Sequence, residues 1–143
     1  MSKGCSTAGR PPITPTERNA SVVRQIFDAF AAKNGYALRD VFAPDAVWRV
    51  PGAGTMAGIF EGREAIFRFL GRLPKETDGT YSSELIDVLA SDDRAAALYR
   101  ARGTRKNRHL ELDQVLLFSL DDGVVTDVLA MPSDPAAFDA FWA

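Results

Sequence analysis

The spacing of apolar residues changes along the chain, from a helical period to an alternating one. Before Pro74, apolar side chains recur every three or four residues, as in residues 22–30 and 65–73. After Thr80 they alternate with other side chains in successive runs. Because a helix buries every third or fourth residue and a strand every second, the pattern predicts helices first and a sheet afterwards.

The helical part begins at a capping box. Thr14, Pro15 and Glu17 have the spacing of a helix start, and the first helix should run to about Lys33. A second, short helix is predicted at 36–42, and a short strand at 46–50 that Pro51 ends. Residues 52–58 form a glycine-containing loop, and a third helix follows from about residue 62, with Pro74 just past its end.

The alternating part predicts four strands, at residues 80–90, 94–105, 108–120 and 124–131. They are joined by SDD, KN and DDG, the last of which is a strong hairpin signal. Asp134 then caps a terminal helix with Pro135 in its first turn. The pattern indicates an α+β fold, in which helices cover one face of a curved antiparallel sheet. We expect one domain over residues 14–143, after a disordered N-terminal tail over residues 1–13.

One face of the strand at 94–105 carries almost only small residues around Tyr99. They are alanines and a glycine, and a strand built in this way leaves room for a ligand beside one phenol. The alternative is that bulky helix side chains fill the room. The next strand places Gln114 among leucines and Phe118, so Gln114 contacts either a ligand or another core residue. The direction of Asp87 is ambiguous, because apolar residues occupy both alternating faces of its strand. If its carboxylate pointed inward, Asp87 would be the general base that these strands supply to the pocket.

The composition of the chain excludes several classes of protein. The net charge of −2 excludes the basic surface that nucleic-acid binding requires. One cysteine, with no clustered histidines, predicts neither a disulfide nor a metal site. No apolar run reaches the roughly 20 residues of a membrane span, and no secretory signal is seen. We therefore expect a cytoplasmic protein without a metal or cofactor.

Several segments together resemble the SnoaL-like branch of the nuclear-transport-factor-2-like superfamily. They are FAPDAVWRVPG, AGIFEGREAIFRFLGRL, ELIDVLASDD, LDQVLLFSLDDGVVTDV and DPAAFDAFWA. The resemblance implies a cystatin-like, cone-shaped α+β barrel, with a curved mixed sheet wrapped around helices and a pocket between them. It also implies a homodimer formed through the outer face of the sheet. The superfamily includes polyketide cyclases, ketosteroid isomerases, limonene epoxide hydrolases and dehydratases.

The catalytic residues of these relatives are largely absent here. The general base of ketosteroid isomerases falls on Val50, and their hydrogen-bonding carboxyl group falls on Leu116 or Gln114. The catalytic triad of limonene epoxide hydrolases falls near Ala97, Tyr99 and Ala130. The histidines typical of SnoaL-like proteins are also replaced, by Arg49, Leu116, Ser119 and Met131.

What remains is an apolar pocket with an aromatic edge. Trp48 is predicted to form part of the pocket wall. Arg49 is predicted to lie at the rim of the pocket, where it would either contact an anionic oxygen of the ligand or form a surface ion pair. The loop GAGTMAG is predicted as a flexible lip over the pocket. The other predicted ligand contacts are Phe30, Met56, Phe118 and Met131.

Two functions fit this pocket. The first is a cofactor-free cyclase, isomerase or dehydratase that acts on a hydrophobic, polyketide-like carbonyl compound, with Tyr99, Gln114 and Asp87 or Arg49 as catalytic residues. The second is a dimeric ligand-binding or accessory module without turnover. A third option is a purely structural dimer. Leu98, Val115 and Leu117 predict the sheet-to-sheet interface of a dimer.

Overall fold

The computed structural model describes residues 13–143, so the predicted N-terminal tail lies outside the described residues except for Ile13. Six strands form one mixed sheet in the order β2-β1-β6-β5-β4-β3. The strands are β1 (Phe42–Val50), β2 (Gly58–Glu61), β3 (Ser82–Ala90), β4 (Arg94–Arg105), β5 (Arg108–Asp121) and β6 (Val124–Pro132). β1 and β6 pair in parallel and the other neighbours pair antiparallel. The edge strands β2 and β3 do not meet, so the sheet is open rather than a closed barrel.

Within residues 13–143, three α-helices accompany the sheet: α1 (Pro15–Ala32), α2 (Arg63–Glu76) and α3 (Pro135–Phe141). The predicted capping box is confirmed, because the Glu17 amide donates to the Thr14 hydroxyl and the Thr14 amide donates to the Glu17 carboxylate. The first helix ends at Lys33, which adopts the left-handed conformation. The buried face of α1 packs against β3 and β4.

The segment between α1 and α2 differs from the prediction. The expected short helix is a single 3-10 turn at Gly35–Leu38, and β1 begins at Phe42 rather than at residue 46. Residues 58–61, for which no strand was predicted, form the edge strand β2. Such a short strand carries too few residues for its alternation to show, and it is held by its pairing with β1. Pro74 lies inside the last turn of α2 instead of beyond it.

The four-strand meander follows the prediction closely, and β4 has the predicted bounds. β3 contains a bulge, because Leu85 pairs with Tyr99 whereas Asp87 pairs with Leu98. The extra residue, Ile86, reverses the alternation within the strand. Leu85 before the bulge and Val88 after it therefore point to the same face, although they are three residues apart. This is why apolar residues stand on both parities around Asp87.

The loop that joins β1 to β2 is hydrogen-bonded to the C-terminal helix and its cap. The Thr55 amide donates to the Trp142 carbonyl oxygen at 2.7 Å, and the Ala53 amide donates to the Asp139 carboxylate at 3.1 Å. Asp134 caps α3 as predicted, by accepting from the Ala137 amide. We call this loop together with Asp139 and Trp142 the C-terminal contact.

No helix within residues 13–143 combines the length and the apolar character needed to cross a membrane.

Candidate functional site

A cavity of about 510 Å³ lies between the helices and one end of the sheet. Its volume falls within the range of about 300–1,000 Å³ that is usual for small-molecule sites. The C-terminal part of α1, the 3-10 turn, the second half of α2 and the start of β3 surround it. Its buried wall consists of apolar and aromatic side chains: Ala29, Leu38, Trp48, Tyr99 and Leu116.

The opening of the cavity is marked by those of its lining residues that are exposed. They are residues 33–36 and Arg39 around the end of α1 and the 3-10 turn, Gly71 and Pro74 of α2, and Ser82 at the start of β3. A Cβ atom added at Gly71 would meet nothing within 4 Å. The opening therefore lies between the end of α1 and α2, and not at the end of β1 where the sequence had placed it.

The small residues of β4 have a different role from the one predicted. Ala95, Ala97 and Ala101 point to the concave face as expected and are buried, but they do not line the cavity. α1 lies against β3 and β4, and short side chains allow a helix to approach a sheet closely. Gly103 has Tyr81 and Thr77 packed against it. The cavity thus exists beside this packed region, and among the β4 residues Tyr99 forms its wall.

Tyr99 belongs to a buried polar cluster. Gln114 Nε2 donates to the Tyr99 hydroxyl oxygen at 2.9 Å, which leaves the hydroxyl proton of Tyr99 for another acceptor. Gln114 does not line the cavity, so it acts as a core partner that positions the phenol. The Phe27 ring, with its centroid 5.3 Å from that of Tyr99, holds the phenol from the side of α1.

Tyr81 and Ser83 complete the cluster, and both line the cavity. The Tyr81 hydroxyl lies close enough to Ser83 and Tyr99 for both to influence its pKa. Sequence reasoning missed these two residues, although their signal was present. Tyr81, Ser83 and Leu85 share one parity of the predicted strand, and Leu85 pairs with Tyr99. If the alternation is followed back from Leu85 to the start of the strand, it places the phenol of Tyr81 on the same face as the phenol of Tyr99.

Burial keeps both phenols protonated. It raises the pKa of Tyr99 well above its usual range, and the neighbouring Tyr81 raises it further. Burial also raises the pKa of Tyr81, and hydrogen bonds with Ser83 and Tyr99 oppose this shift in part. At neutral pH both groups are therefore neutral hydrogen-bond donors rather than bases.

Trp48 lines the cavity as predicted. Its ring packs between Phe42 and Phe69, with centroid distances of 6.2 and 5.7 Å. Its indole Nε1 is buried and has no hydrogen-bond partner among residues 13–143. Phe30 of α1 lines the cavity too. Among the predicted ligand contacts, Phe30 and Trp48 are therefore the two that reach the cavity.

Arg49 does not reach the cavity rim. It lies on the outer face of the sheet, where β1 and β6 are paired, and its guanidinium forms an ion pair with the Asp127 carboxylate. Because Trp48 points inward, the alternation of the strand turns Arg49 outward. The surface ion pair considered from the sequence is thus the arrangement found.

Asp87 also lies on the outer face and is exposed. The bulge at Ile86 turns it away from the concave side, and its carboxylate accepts from the Val88 amide. It is therefore excluded as a general base within the cavity.

Three other predicted contacts lie elsewhere. Met56 and Phe118 are fully buried in the core without lining the cavity, and Met131 is 38% exposed on the outer face. The loop containing Met56 belongs to the C-terminal contact, and none of its residues lines the cavity, so the predicted flexible lip was wrong. Core position rather than ligand contact explains why Met56 and Phe118 are apolar.

The arrangement can bind an apolar molecule and donate hydrogen bonds to an oxygen near Tyr81 and Tyr99. Among the described residues, 13–143, the cavity lining contains no carboxylate and no imidazole, and the single histidine, His109, is exposed outside it. Within residues 13–143, no group of three or more histidine, cysteine, aspartate or glutamate side chains could hold a metal ion.

Comparison with known proteins gives consistent results. Residues 23–128 match the sequence model of the SnoaL-like domain. The uncharacterized protein Rv0034 of Mycobacterium tuberculosis is 34% identical over 128 residues, which cover 89% of this chain and 98% of that protein.

Two solved structures extend the comparison. Bal32a, from a soil-derived mobile gene cassette, is 35% identical, with a TM-score of 0.87 that covers 91% of this chain and 100% of Bal32a. TerC, co-crystallised with polyporic acid, shares the fold at 19% identity and a TM-score of 0.75, over 87% and 97% of the two chains.

Proposed function

The chain belongs to the SnoaL-like domain family, and from this premise we propose that it is a cofactor-independent isomerase, cyclase or dehydratase acting on a hydrophobic carbonyl compound. The observation that carries the proposal is a pair of protonated phenols, Tyr81 and Tyr99, in the wall of an otherwise apolar cavity. TerC, a protein of the same fold, has been co-crystallised with a small organic molecule, which supports a ligand-binding role for such a cavity.

The phenols would act on the carbonyl oxygen of the substrate. Tyr99 receives a hydrogen bond from Gln114, so its own proton remains for the neighbouring Tyr81 hydroxyl or, when a ligand is bound, for the ligand oxygen. A neutral donor in an apolar cavity stabilises the negative charge that develops on the oxygen as an enolate forms. The raised pKa values help here, because they keep both protons on the phenols at neutral pH.

The cavity offers no strong base, and this restricts the chemistry. With no carboxylate or imidazole in the lining, a proton removed from carbon would pass to water or buffer. A methylene group between two carbonyls is acidic enough for that route. The protein would then contribute polarisation of the carbonyl and a folded substrate conformation, since orientation alone can accelerate an intramolecular reaction greatly.

The same absence of a carboxylate favours a second candidate, a ligand-binding module without turnover. Both candidates use the same cavity, and they differ only in whether the bound carbonyl becomes more reactive.

Hydrogen–deuterium exchange separates the two candidates. We would use ethyl benzoylacetate, a hydrophobic ketone with a methylene group between two carbonyls, and follow the loss of its methylene hydrogens in D₂O by NMR, with binding measured by the change in tryptophan fluorescence. An enzyme should accelerate exchange. Tyr99→Phe should lower that acceleration by about 10²-fold, the usual effect of removing one oxyanion donor. Thr126→Val, which removes a hydroxyl outside the cavity lining, should not lower it.

The other outcomes are equally informative. If ethyl benzoylacetate binds without faster exchange, the enzyme is excluded in favour of the binding module. If exchange is accelerated equally by the Tyr99→Phe variant, the phenol is not the electrophile. If the ketone does not bind, both candidates fail.

We also propose that the outer face of the sheet joins two copies of the chain. Apolar side chains form adjacent rows there across neighbouring strands: Leu129, Leu117, Ala96 and Leu89 in one row, and Met131, Val115 and Leu98 in the next. Beside them, Arg100 and Arg102 are ion-paired with Asp113, Glu111 and Glu84. An apolar centre with a polar edge is the usual anatomy of an interface.

Light scattering on a gel-filtration column tests the dimer. The chain should elute with twice its monomer mass at micromolar concentration, and Leu117→Glu should give a folded monomer, because the new carboxylate would be buried at the centre of the interface. Tyr36→Glu serves as the control, since Tyr36 is 71% exposed beside the cavity opening. A monomeric parent protein would contradict the proposal.

A further inference from the structure

The charge around the cavity has only one sign. In the part of the chain that the structure describes, the lining includes two cationic side chains, Lys33 and Arg39, and no anionic one. Both are exposed at the opening, whereas the wall behind them is apolar as far as the tyrosine cluster. A molecule that enters therefore meets positive charge first, then an apolar space, and then neutral hydrogen-bond donors.

Neither cation is neutralised by a carboxylate. Within residues 13–143, the acidic side chains form no ion pair of 4.0 Å or less with Lys33 or Arg39. Asp40 follows Arg39 directly in sequence but does not line the cavity. The Arg39 guanidinium instead lies over the Tyr36 ring, 5.8 Å from its centroid. By contrast, the arginines of the outer face that flank the apolar rows are paired with carboxylates.

Backbone hydrogen bonds fix the positions of the Lys33 and Arg39 main chain, from which the two side chains extend. Lys33 caps the end of α1 in the left-handed conformation, and its amide donates to carbonyl groups of the last helical turn. The Arg39 amide donates to the Tyr36 carbonyl oxygen at the end of the 3-10 turn. Unpaired cations on defined backbone beside a low-dielectric opening concentrate positive potential there.

We propose that the ligand of this cavity is a hydrophobic carboxylic acid, whose carboxylate binds Lys33 and Arg39 at the opening while its apolar body fills the cavity. The inference deepens the proposed function, on which it rests, by naming the substrate class. An oxygen function further along the same molecule would reach Tyr81 and Tyr99. The substrate would accordingly be an oxo acid with its carboxylate and its reacting carbonyl at opposite ends of the cavity.

Three probes with the same chain and different head groups test the charge preference: dodecanoate, dodecanol and dodecylammonium. Binding to the full chain, measured by calorimetry, should weaken in that order. The preference for dodecanoate over dodecanol should be about tenfold, since two partly exposed ion pairs contribute modestly, and it should shrink as salt is added.

A double variant assigns the preference to its residues. Lys33→Gln with Arg39→Gln should bring dodecanoate and dodecanol to equal affinity. The matched control is Arg68→Gln with Lys75→Gln, which removes the same charge from exposed positions of α2 outside the lining and should keep the preference. Equal affinities in the parent chain, or a preference that survives the Lys33 and Arg39 changes, would overturn the inference.

A blocked opening distinguishes failure of this inference from failure of the proposed function. Gly71→Trp adds an indole where the structure has open space beside the opening, and it should weaken binding of dodecanoate and dodecanol alike. If dodecanol binds in a manner sensitive to Gly71→Trp but carboxylate gives no advantage, the cavity stands and the acid preference falls. If none of the probes binds, the inference and the proposed ligand cavity both fail.

Discussion

Two neighbouring regions on the concave side of the sheet use similar residues in opposite ways. In the C-terminal contact, an aromatic side chain and a glycine pack without space between them: a Cβ atom at Gly54 would lie 2.8 Å from Trp142 Cβ. In the cavity, aromatic side chains and a glycine surround open volume, and a Cβ atom at Gly71 would meet nothing within 4 Å. Tyr81 belongs to both regions, since it contacts Trp142 on one side and lines the cavity on the other.

The comparison separates residues that stabilise the fold from residues that are available for a ligand. The C-terminal contact closes one end of the core, with Arg105 buried between Glu76, the Ala143 carbonyl oxygen and the Trp142 ring. The cavity leaves apolar surface at the other end without a protein partner. Substitutions in the first region should therefore change the free energy of unfolding, and substitutions in the second should chiefly change ligand binding.

Trp142→Ala should have the largest effect on stability. The side chain is 2% exposed and packs on Phe141 and Tyr81. Removing a buried aromatic ring costs about 3–5 kcal/mol, and denaturant unfolding would measure it. Tyr36→Ala, at a 71% exposed position, should change stability by less than about 0.5 kcal/mol. If the two variants were equally stable, the C-terminal contact would not hold the core closed.

Gly54→Ala should destabilise less, by about 1–3 kcal/mol, as expected when a methyl group is forced into a packed region. The new Cβ atom would lie 3.0 Å from the Trp142 carbonyl oxygen as well as close to Trp142 Cβ. Relief of the clash would stretch the hydrogen bond from the Thr55 amide to that oxygen. Thermal unfolding monitored by circular dichroism would test this, and an unchanged melting temperature would show that the loop can move away freely.

The features of this fold that the sequence predicts well are those determined by residues close together in the chain. The bounds of β4 and the cap at Thr14 follow from alternation and spacing within a few residues, and both are confirmed. β2 was missed because four residues beside glycines hold too little pattern. Asp87 was ambiguous because a bulge adds one residue, and alternation along the strand cannot show where such a residue is inserted.

The site was predictable only in part, for a tertiary reason. Alternation placed Trp48 and Tyr99 on the concave face, and the structure finds both in the cavity wall. It could not show that α1 would cover Ala97 and Ala101, or that the opening would lie beside Arg39. Those facts depend on where the helices cross the sheet, and helix placement is set by contacts between residues distant in sequence.

Raised pH should affect stability through the two phenols that lie between these regions. Their folded-state pKa values are raised, so between the unfolded and folded pKa values the folded chain holds more protons than the unfolded chain. Stability is then fully present below the unfolded pKa of about 10 and is lost as pH rises, by up to about 1.4 kcal/mol per pH unit for each group. Urea unfolding between neutral and alkaline pH would measure the slope.

Tyr99→Phe should reduce that alkaline loss, because the variant has one buried phenol fewer to deprotonate on unfolding. Tyr36→Phe removes an exposed hydroxyl instead and should leave the slope unchanged. An alkaline slope that stays the same in Tyr99→Phe would mean that this phenol titrates alike in the folded and unfolded chains.

Gly71→Ala gives the smallest effect and the opposite sign, so it tests the comparison most directly. Gly71 lies inside α2, where replacing glycine by alanine usually stabilises a helix by about 0.5–1 kcal/mol. At Gly54 the same change is outweighed by the contact with Trp142, whereas at Gly71 the new methyl group enters open space at the cavity opening. Denaturant unfolding should therefore show a gain for Gly71→Ala and a loss for Gly54→Ala. A loss at both positions would mean that the space beside α2 is filled in solution, and that the opening described for the cavity is closed.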